Sequence, residues 1–207
     1  MTINRNDPTP PLVLVFAASD PTGGAGVQAD IMTISGMGCH ALTVITALTV
    51  QDTVGVEDVL SVDSDFVSEQ ARAVLEDMPV QAFKLGVLGS VENIAVIAEI
   101  ISDYPHIPVV VDPVIASGRG DELASEAMLA TLRELILPQA TVITPNTMEA
   151  RRLVAHRGED SDERSMSDCA VQLLEMGCRN VLITGSHAHT PQVINTLYSA
   201  GGVLRTD

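Results

Sequence analysis

The stretch ASDPTGGAGVQAD, residues 18–30, places three glycines and a proline between an apolar run and a segment with helical spacing. Glycine permits sharp turns and a close approach of the backbone to a ligand. Such a turn can bind an anion at a helix N-terminus, close on a small substrate, or simply reverse the chain. The residues alone leave these three alternatives open. Neither G-x-x-x-x-G-K-[ST] nor G-x-G-x-x-G occurs, so the two common nucleotide-binding fingerprints do not apply.

Polar residues or glycines also follow most of the other apolar runs. They occupy positions 51–52, 86–89, 112–113, 145–146 and 185–187. In an open parallel sheet, ligands bind beyond the carboxyl ends of the strands. The pattern therefore predicts a functional edge, although ordinary turn chemistry explains part of it.

The elements that must position these residues alternate between strands and helices. Apolar, β-branched runs predict strands at 12–17, 41–50, 56–62, 80–87, 107–111, 141–144 and 181–184. Helical spacing predicts helices at about 25–37, after 63, and at 91–102, 126–137, 147–155 and 167–176, with Ser90 and Ser125 as N-caps. Segments 193–198 and 203–205 predict a hairpin. We expect one α/β domain over 1–207, with a mainly parallel sheet and helices on both faces.

Composition narrows the classes of function. The net charge of −16, from 27 acids and 11 bases, argues against a nucleic-acid partner, which requires clustered Lys and Arg. It does not argue against a nucleotide, whose charge a divalent cation can neutralise. No apolar run is long enough to span a bilayer, and the polar N-terminus lacks a signal-peptide core. We expect a soluble cytoplasmic protein with its three scattered cysteines reduced.

Five segments together resemble one family. ASDPTGGAGVQAD, VITALTVQDT, KLGVLG, VVVDPV and VITPNTMEA occur in the order and spacing of the hydroxymethylpyrimidine/phosphomethylpyrimidine kinases, thiamine-pathway members of the ribokinase-like superfamily. The resemblance extends from Leu12 to the C-terminus. It implies a ribokinase-like fold, a homodimer, and ATP- and Mg²⁺-dependent phosphorylation of 4-amino-5-hydroxymethyl-2-methylpyrimidine and its monophosphate. A kinase of a pyridoxine-type vitamer and a non-catalytic pyrimidine-binding protein are the alternatives.

The resemblance implies that the glycine-rich turn lines the substrate pocket. Gln51 would donate to a ring nitrogen and accept from the adjacent amine of an aminopyrimidine, as Gln does with adenine. Asp30 resembles the substrate-pocket aspartate of the family. Without the resemblance, Gln51 is a polar strand end and Asp30 is a helix or surface acid. The other expected pocket residues are Ala18, Gly24, Ala25, Val50, Val87 and Val114.

On the nucleotide side, Asn146 and Glu149 match the Asn-x-x-Glu element of the family. The resemblance implies that Asn146 approaches the phosphates and that Glu149 holds Mg²⁺ through water. The alternative is that they form a helix capping box. Asp112 would face the phosphates, or initiate an Asp-Pro turn. Thr184 and Gly185 complete the expected nucleotide residues. The H-x-H pair at 187 and 189 could suggest a metal, but without a third ligand we place it in a loop beside the nucleotide.

Two departures from the family pattern matter. The turn begins Ala-Ala-Ser-Asp where many relatives have Ala-Gly-Ser-Asp, so Ala18 adds a methyl group near the substrate. The sequence also ends at Asp207, before the Gly-[ST]-Gly-[CD] segment that supplies the anion hole in relatives. We therefore assign no catalytic residue within 1–207, and expect the chain as written to bind better than it reacts.

Overall fold

The structure is a computed structural model that describes residues 9–117, 120–155, 164–185 and 192–207. Within these residues nine strands form one sheet: β1 (Leu12–Ser19), β2 (His40–Gln51), β3 (Val56–Ser61), β4 (Ala82–Leu85), β5 (Val109–Val111), β6 (Val142–Ile143), β7 (Asn180–Ile183), β8 (Thr196–Ser199) and β9 (Gly202–Thr206). Their spatial order is β3-β2-β1-β4-β5-β6-β7-β8-β9. The six strands from β2 to β7 in this order run parallel, and β3, β8 and β9 are antiparallel additions. The predicted mainly parallel α/β fold is confirmed, and so is the C-terminal hairpin.

The helices lie on both faces of this sheet, as the apolar strands predict. They are α1 (Gly26–Gly36), α2 (Ser64–Asp77), α3 (Val91–Asp103), α4 (Glu126–Thr131), α5 (Thr147–Val154) and α6 (Met166–Glu175). The larger core cluster contains Phe16, Phe83 and Leu85 together with residues from α2 to α6. The smaller cluster joins Val15 and Ala17 to α1 on the opposite face. No helix in the described ranges has both the length and the apolar character needed to cross a bilayer.

Side-chain caps fix where most helices begin. Ser90 and Ser125 accept hydrogen bonds from the first turns of α3 and α4, as predicted. Asp63 and Ser165 do the same for α2 and α6. A cap satisfies amide groups that otherwise lack a partner in the helix, and is worth about 1 kcal/mol. The first residues of the helices were therefore easier to predict from the sequence than their last residues.

The helix predicted at 126–137 is interrupted after Thr131, so the prediction of one continuous α-helix there is wrong. After α4 the chain forms a wider π-helical turn, Leu132–Ile136, and then a 3-10 turn, Leu137–Gln139. Pro138 has no amide hydrogen and cannot continue an α-helix. Arg133 in the π-helical turn donates to the carbonyls of Leu153 and Arg152, at 2.7 and 2.8 Å, and so caps the end of α5.

A buried amide holds the loop after β4 in place, and nothing in the sequence signals it. Asn93 in α3 is fully buried, and its Nδ2 lies 3.1–3.2 Å from four oxygens: the carbonyls of Thr46, Val62 and Leu88, and Ser61 Oγ. These acceptors belong to β2, the end of β3 and the loop after β4. Asn93 therefore fixes the 86–89 loop relative to β2, whose end carries a predicted site residue.

Candidate active site

The glycine-rich turn is a structured loop built around the Asp20 carboxylate. Asp20 accepts hydrogen bonds from Thr22 N at 2.7 Å, Thr22 Oγ1 at 2.9 Å and Ala25 N at 2.8 Å. Burial of this carboxylate acts to raise its pKa, but the hydrogen bonds from the turn outweigh burial and lower the pKa of Asp20 below its usual value. The loop is thus held by the ionised Asp20 side chain, whose oxygens are engaged in hydrogen bonds within the loop.

Gly26 lets α1 begin directly against the end of β1. Its φ is +58°, and a Cβ at this position would lie 2.3 Å from the carbonyl oxygen of Ala18. Gln28 secures the same junction, since its amide accepts from Asp20 N at 2.9 Å and donates to Ser19 Oγ at 2.8 Å. The turn therefore sets α1 tightly on the sheet edge and presents its first turn to the space beyond the strands.

A pocket of about 320 Å³ opens at that edge, between the start of α1, the ends of β2 and β4, and the segment after β5. It brings together seven of the sequence-predicted residues: Ala18, Ala25, Asp30, Gln51, Val87, Asp112 and Val114. These residues come from four separate parts of the chain, and the parallel strand ends bring them to one place. The sheet edge that the sequence predicts as functional therefore carries a pocket.

Gln51 is available to a ligand. It is the last residue of β2 and lines the pocket, and its side-chain amide makes no hydrogen bond to any other described residue. The neighbouring Thr49 also lines the pocket and donates from Oγ1 to the carbonyl of Ser19 at 3.0 Å. The Gln51 amide thus offers one donor group and one acceptor in a concave, half-apolar space.

Two predicted pocket residues lie outside the pocket. Side chains alternate along a strand, and because Thr49 and Gln51 face the pocket, Val50 faces away from it and is 56% exposed. Gly24 lies on the outer side of the turn, where its nearest neighbours are the side chains of Thr22 and Asp20. Contact of Val50 or Gly24 with a substrate therefore stays a prediction, which the lining of this pocket does not support.

The floor of the pocket carries a charged cluster of Asp30, Lys84 and Asp112. Lys84 Nζ donates to Asp30 Oδ2 at 3.0 Å, with both side chains about four-fifths buried. Asp112 was expected on the nucleotide side, but it lines the pocket together with these two residues. Burial raises the pKa of the Asp112 carboxyl and Asp30 adds to this effect, while Lys84 opposes it. The signal for Lys84 in the sequence is a lysine inside an apolar strand near the sheet edge, and by itself this signal does not indicate a role.

Asn146 and Glu149 form the capping box that the sequence allowed as an alternative. Asn146 Oδ1 accepts from Met148 N and Glu149 N, each at 2.9 Å, and Glu149 Oε2 accepts from Asn146 N at 2.9 Å. Glu149 Oε1 also lies 3.5 Å from Ile115 N, which links α5 to the segment after Asp112. The capping role is confirmed, and the roles toward phosphate and Mg²⁺ stay predictions.

Thr184 and Gly185 lie beside this box. Thr184 pairs with Asn146 in a parallel bridge and donates from its amide to the carbonyl of Pro145 at 2.9 Å. Gly185 N donates to Asn195 Oδ1 at 3.1 Å, and a Cβ at Gly185 would lie 2.3 Å from the Ile194 carbonyl oxygen. The predicted nucleotide residues other than Asp112 are therefore adjacent at the ends of β6 and β7. His187 and His189 lie outside the described residues.

The described ranges contain no group of three or more His, Cys, Asp or Glu side chains arranged to hold a metal ion. Mg²⁺ in phosphoryl-transfer sites is commonly held by one or two carboxylates, water and substrate phosphates, so a complete protein cage is not required. A single carboxylate at Glu149, partly engaged in the capping box, fits the water-mediated arrangement and not direct coordination by several side chains.

Comparison with known proteins now decides the family. Residues 20–207 match the family model described as phosphomethylpyrimidine kinase. The chain belongs to this family. It is 38% identical over 192 residues to the hydroxymethylpyrimidine/phosphomethylpyrimidine kinase of Escherichia coli, covering 93% of this chain and 72% of that protein. It is also 39% identical over 206 residues to the thiamine biosynthesis bifunctional protein ThiED of Geobacter sulfurreducens, of which it spans 42%.

Solved structures agree with the fold. Phosphomethylpyrimidine kinase from Clostridium difficile superposes with a TM-score of 0.83 at 33% identity, covering 95% of this chain and 83% of the other. Pyridoxal kinase from Staphylococcus aureus, solved in complex with ADP, superposes with a TM-score of 0.79 at 28% identity. The match covers 93% of this chain and 69% of the pyridoxal kinase chain. The fold is therefore shared with a phosphomethylpyrimidine kinase and a pyridoxal kinase, and the resemblance stated from the sequence motifs is confirmed.

Proposed function

We propose that the protein phosphorylates 4-amino-5-hydroxymethyl-2-methylpyrimidine and its monophosphate, with ATP as the phosphoryl donor. The observation that carries the proposal is the unpartnered Gln51 amide, which lies in a pocket at the strand ends of a chain belonging to the phosphomethylpyrimidine kinase family. An amide pairs in two places with a ring nitrogen and its adjacent amine. A 4-aminopyrimidine presents that edge.

The remaining pocket residues suit such a ring. Val87 and Val114 supply apolar contacts for its faces, and Ala18 and Ala25 bring the backbone of the turn close to it. Asp30 has one carboxylate oxygen on Lys84 and can accept from a substrate donor with the other. In this proposal the glycine-rich turn contacts the substrate, the second of the three roles that its residues allow.

We place the nucleotide at the ends of β6 and β7, on Asn146, Glu149, Thr184 and Gly185. The helix α5 begins beside these residues, and the N-terminal end of a helix dipole favours phosphate. Mg²⁺, when bound through water at Glu149, supplies positive charge to the phosphates that the protein side chains do not. In phosphoryl transfer, such positioning and charge stabilisation account for most of the catalysis.

A second candidate is phosphorylation of a pyridoxine-type vitamer. Its support is the similarity of the fold to a pyridoxal kinase at 28% identity. The nucleotide side would be unchanged and only the pocket chemistry would differ. Comparing kcat/KM for the two alcohols with the full-length natural protein separates the two, and an equal or reversed preference would replace the first candidate by the second.

The test of the proposed activity is ADP formation by the full-length natural protein with each pyrimidine acceptor. We expect ATP turnover that depends on the acceptor and on Mg²⁺. Binding of the pyrimidine without turnover would favour a non-catalytic binding protein, and absence of both would refute the proposal.

We also propose that the protein is a homodimer. Leu48 on β2 and Leu60 on β3 are direct cross-strand partners, yet they are 46% and 66% exposed. Adjacent exposed apolar side chains on a sheet surface lose contact with water when a second copy covers them, and contiguous apolar surface marks association sites. Light scattering should give twice the chain mass, and Leu60→Glu should lower that value if this surface forms the contact.

A further inference from the structure

Lys84 is the only lysine in the 207 residues; the other ten basic residues are arginines. It lies on β4 between buried Phe83 and Leu85, in the middle of an apolar strand. Lysine is seldom buried without a partner, because removing its charge from water is costly. Lys84 nevertheless lines the pocket, so we expect its charge to interact with a bound ligand.

The pocket is shaped to admit the ammonium group. A Cβ at Gly86 would lie 3.1 Å from Lys84 Nζ and 3.2 Å from Ala17 Cβ. The φ of Gly86 is not in the left-handed region, so backbone conformation does not require glycine there. Glycine at this position instead leaves the space that the lysine head occupies. Lys84 and Gly86 thus form one unit that delivers a positive charge to the pocket floor.

Lys84 carries the single positive charge among the described residues that line the pocket. The charged side chains lining it are Asp20, Asp30, Lys84 and Asp112. With all four ionised, the sum is three negative charges and one positive charge, or −2. Without Lys84 the sum becomes −3. The Asp20 carboxylate already accepts three hydrogen bonds from its own turn, so the side chains that remain to act on a ligand's charge are Asp30, Asp112 and Lys84.

The two acceptors of the proposed function differ in the property that this balance controls. The alcohol is neutral, whereas its monophosphate carries close to two negative charges near pH 7. Two carboxylates in a half-buried pocket repel the phosphorylated acceptor and leave the alcohol almost unaffected. We propose that Lys84 is a specificity-determining residue, because its charge permits the phosphorylated acceptor to bind in the same pocket as Asp30 and Asp112. This inference rests on the proposed function.

The test is calorimetric titration of each acceptor, without nucleotide, into wild type, Lys84→Met and Asp30→Asn. Methionine keeps the apolar stem and removes the charge. We expect Lys84→Met to weaken binding of the monophosphate about tenfold more than binding of the alcohol, because one unit charge is lost nearby. Asp30→Asn removes a negative charge and should shift the ratio of the two dissociation constants in the opposite direction. The double variant should return the ratio toward that of wild type.

Opposite shifts separate a charge role from a structural one, since a general disturbance would weaken both acceptors alike. Lys84→Arg is the conservative control, and should retain the wild-type ratio even if the larger head weakens both affinities. Should Lys84→Met fail to fold, the shift toward the monophosphate in Asp30→Asn still tests the claim. Equal losses for both acceptors, or a shift toward the monophosphate in Lys84→Met, would overturn it.

The outcomes also separate this inference from the proposed function. If wild type binds neither pyrimidine, both the proposed function and this inference are refuted. If wild type binds both and neither charge variant changes the ratio, only the inference fails. Because Lys84 is the single lysine, selective ¹³C labelling of lysine Cε gives one side-chain resonance. We expect that resonance to shift more with the monophosphate than with the alcohol, and equal shifts would contradict the charge role.

Discussion

Gly26 begins α1 so close to Ala18 that a single added methyl group at position 26 would lie 2.3 Å from the Ala18 carbonyl oxygen. This contact fixes α1 against the end of β1, and with it the wall of the pocket that carries Ala25 and Asp30. The architecture of the site therefore depends on a backbone approach that only glycine allows.

Gly26→Ala tests this relationship. The substitution combines a positive φ with a clash against backbone, so we expect a loss of stability of about 2 kcal/mol or more. Gly36→Ala is the matched control at the other end of the same helix, where a Cβ meets nothing within 4 Å. It should be neutral or slightly stabilising. Urea unfolding of both variants measures the difference, and equal effects would mean that the close approach is not what position 26 requires.

Asn93 gives a second stability prediction. Asn93→Ala removes a donor that faces four buried or half-buried oxygens, so we expect a loss of about 2–3 kcal/mol. Asn93→Asp preserves size but sets a carboxylate against those oxygens, and should cost more than alanine. Asn180→Ala, which removes one hydrogen bond to the Thr141 carbonyl, should cost about 1 kcal/mol. An Asn93→Asp variant as stable as wild type would show that the four acceptors are not held by this amide.

Asp112 gives a prediction about pH. Its pKa is raised in the folded protein, chiefly by burial, so the folded state favours the protonated carboxyl. The stability that this preference provides is complete below the unfolded pKa and is lost as pH rises through the folded pKa. Asp112→Asn cannot ionise and should therefore be more stable than wild type at pH 7. The gap should close below the ordinary value of 3.8.

Unfolding midpoints of Asp112→Asn and wild type between pH 3 and pH 8 measure that gap. Asp30→Asn is the control, because it removes the partner of the buried Lys84 and should lower stability at pH 7. A gap for Asp112→Asn that widens toward low pH would contradict the assigned burial effect.

The parts of the site that sequence could predict depend on strand ends and caps. Gln51 and Asp112 were predictable because parallel strands bring their carboxyl ends to one edge. Asp30 followed only from the family resemblance, since a helix acid by itself does not indicate a pocket. The capping pair of Asn146 and Glu149 was predictable because the two residues are three apart before an apolar run.

What sequence could not give depends on distances between separate elements. Lys84 acquires its place only because Gly86 leaves room and α1 brings Asp30 within 3.0 Å. The sequence could not show that Val50 lies outside the pocket, because a continuous apolar run does not reveal which of its residues face the edge. Asn93 holds three segments that are distant in sequence from one another, and no local pattern marks such an amide.

Recognition of the pyrimidine by Gln51 is the central claim, and calorimetric titration of the hydroxymethylpyrimidine into wild type and Gln51→Leu tests it most directly. Leucine has similar size but cannot pair with the ring edge, so we expect the affinity to fall roughly 10- to 100-fold. Val50→Ala, on the adjacent residue that faces away from the pocket, should leave the affinity unchanged, and neither variant should alter binding of ATP. A Gln51→Leu protein that binds the pyrimidine as tightly as wild type would contradict the account.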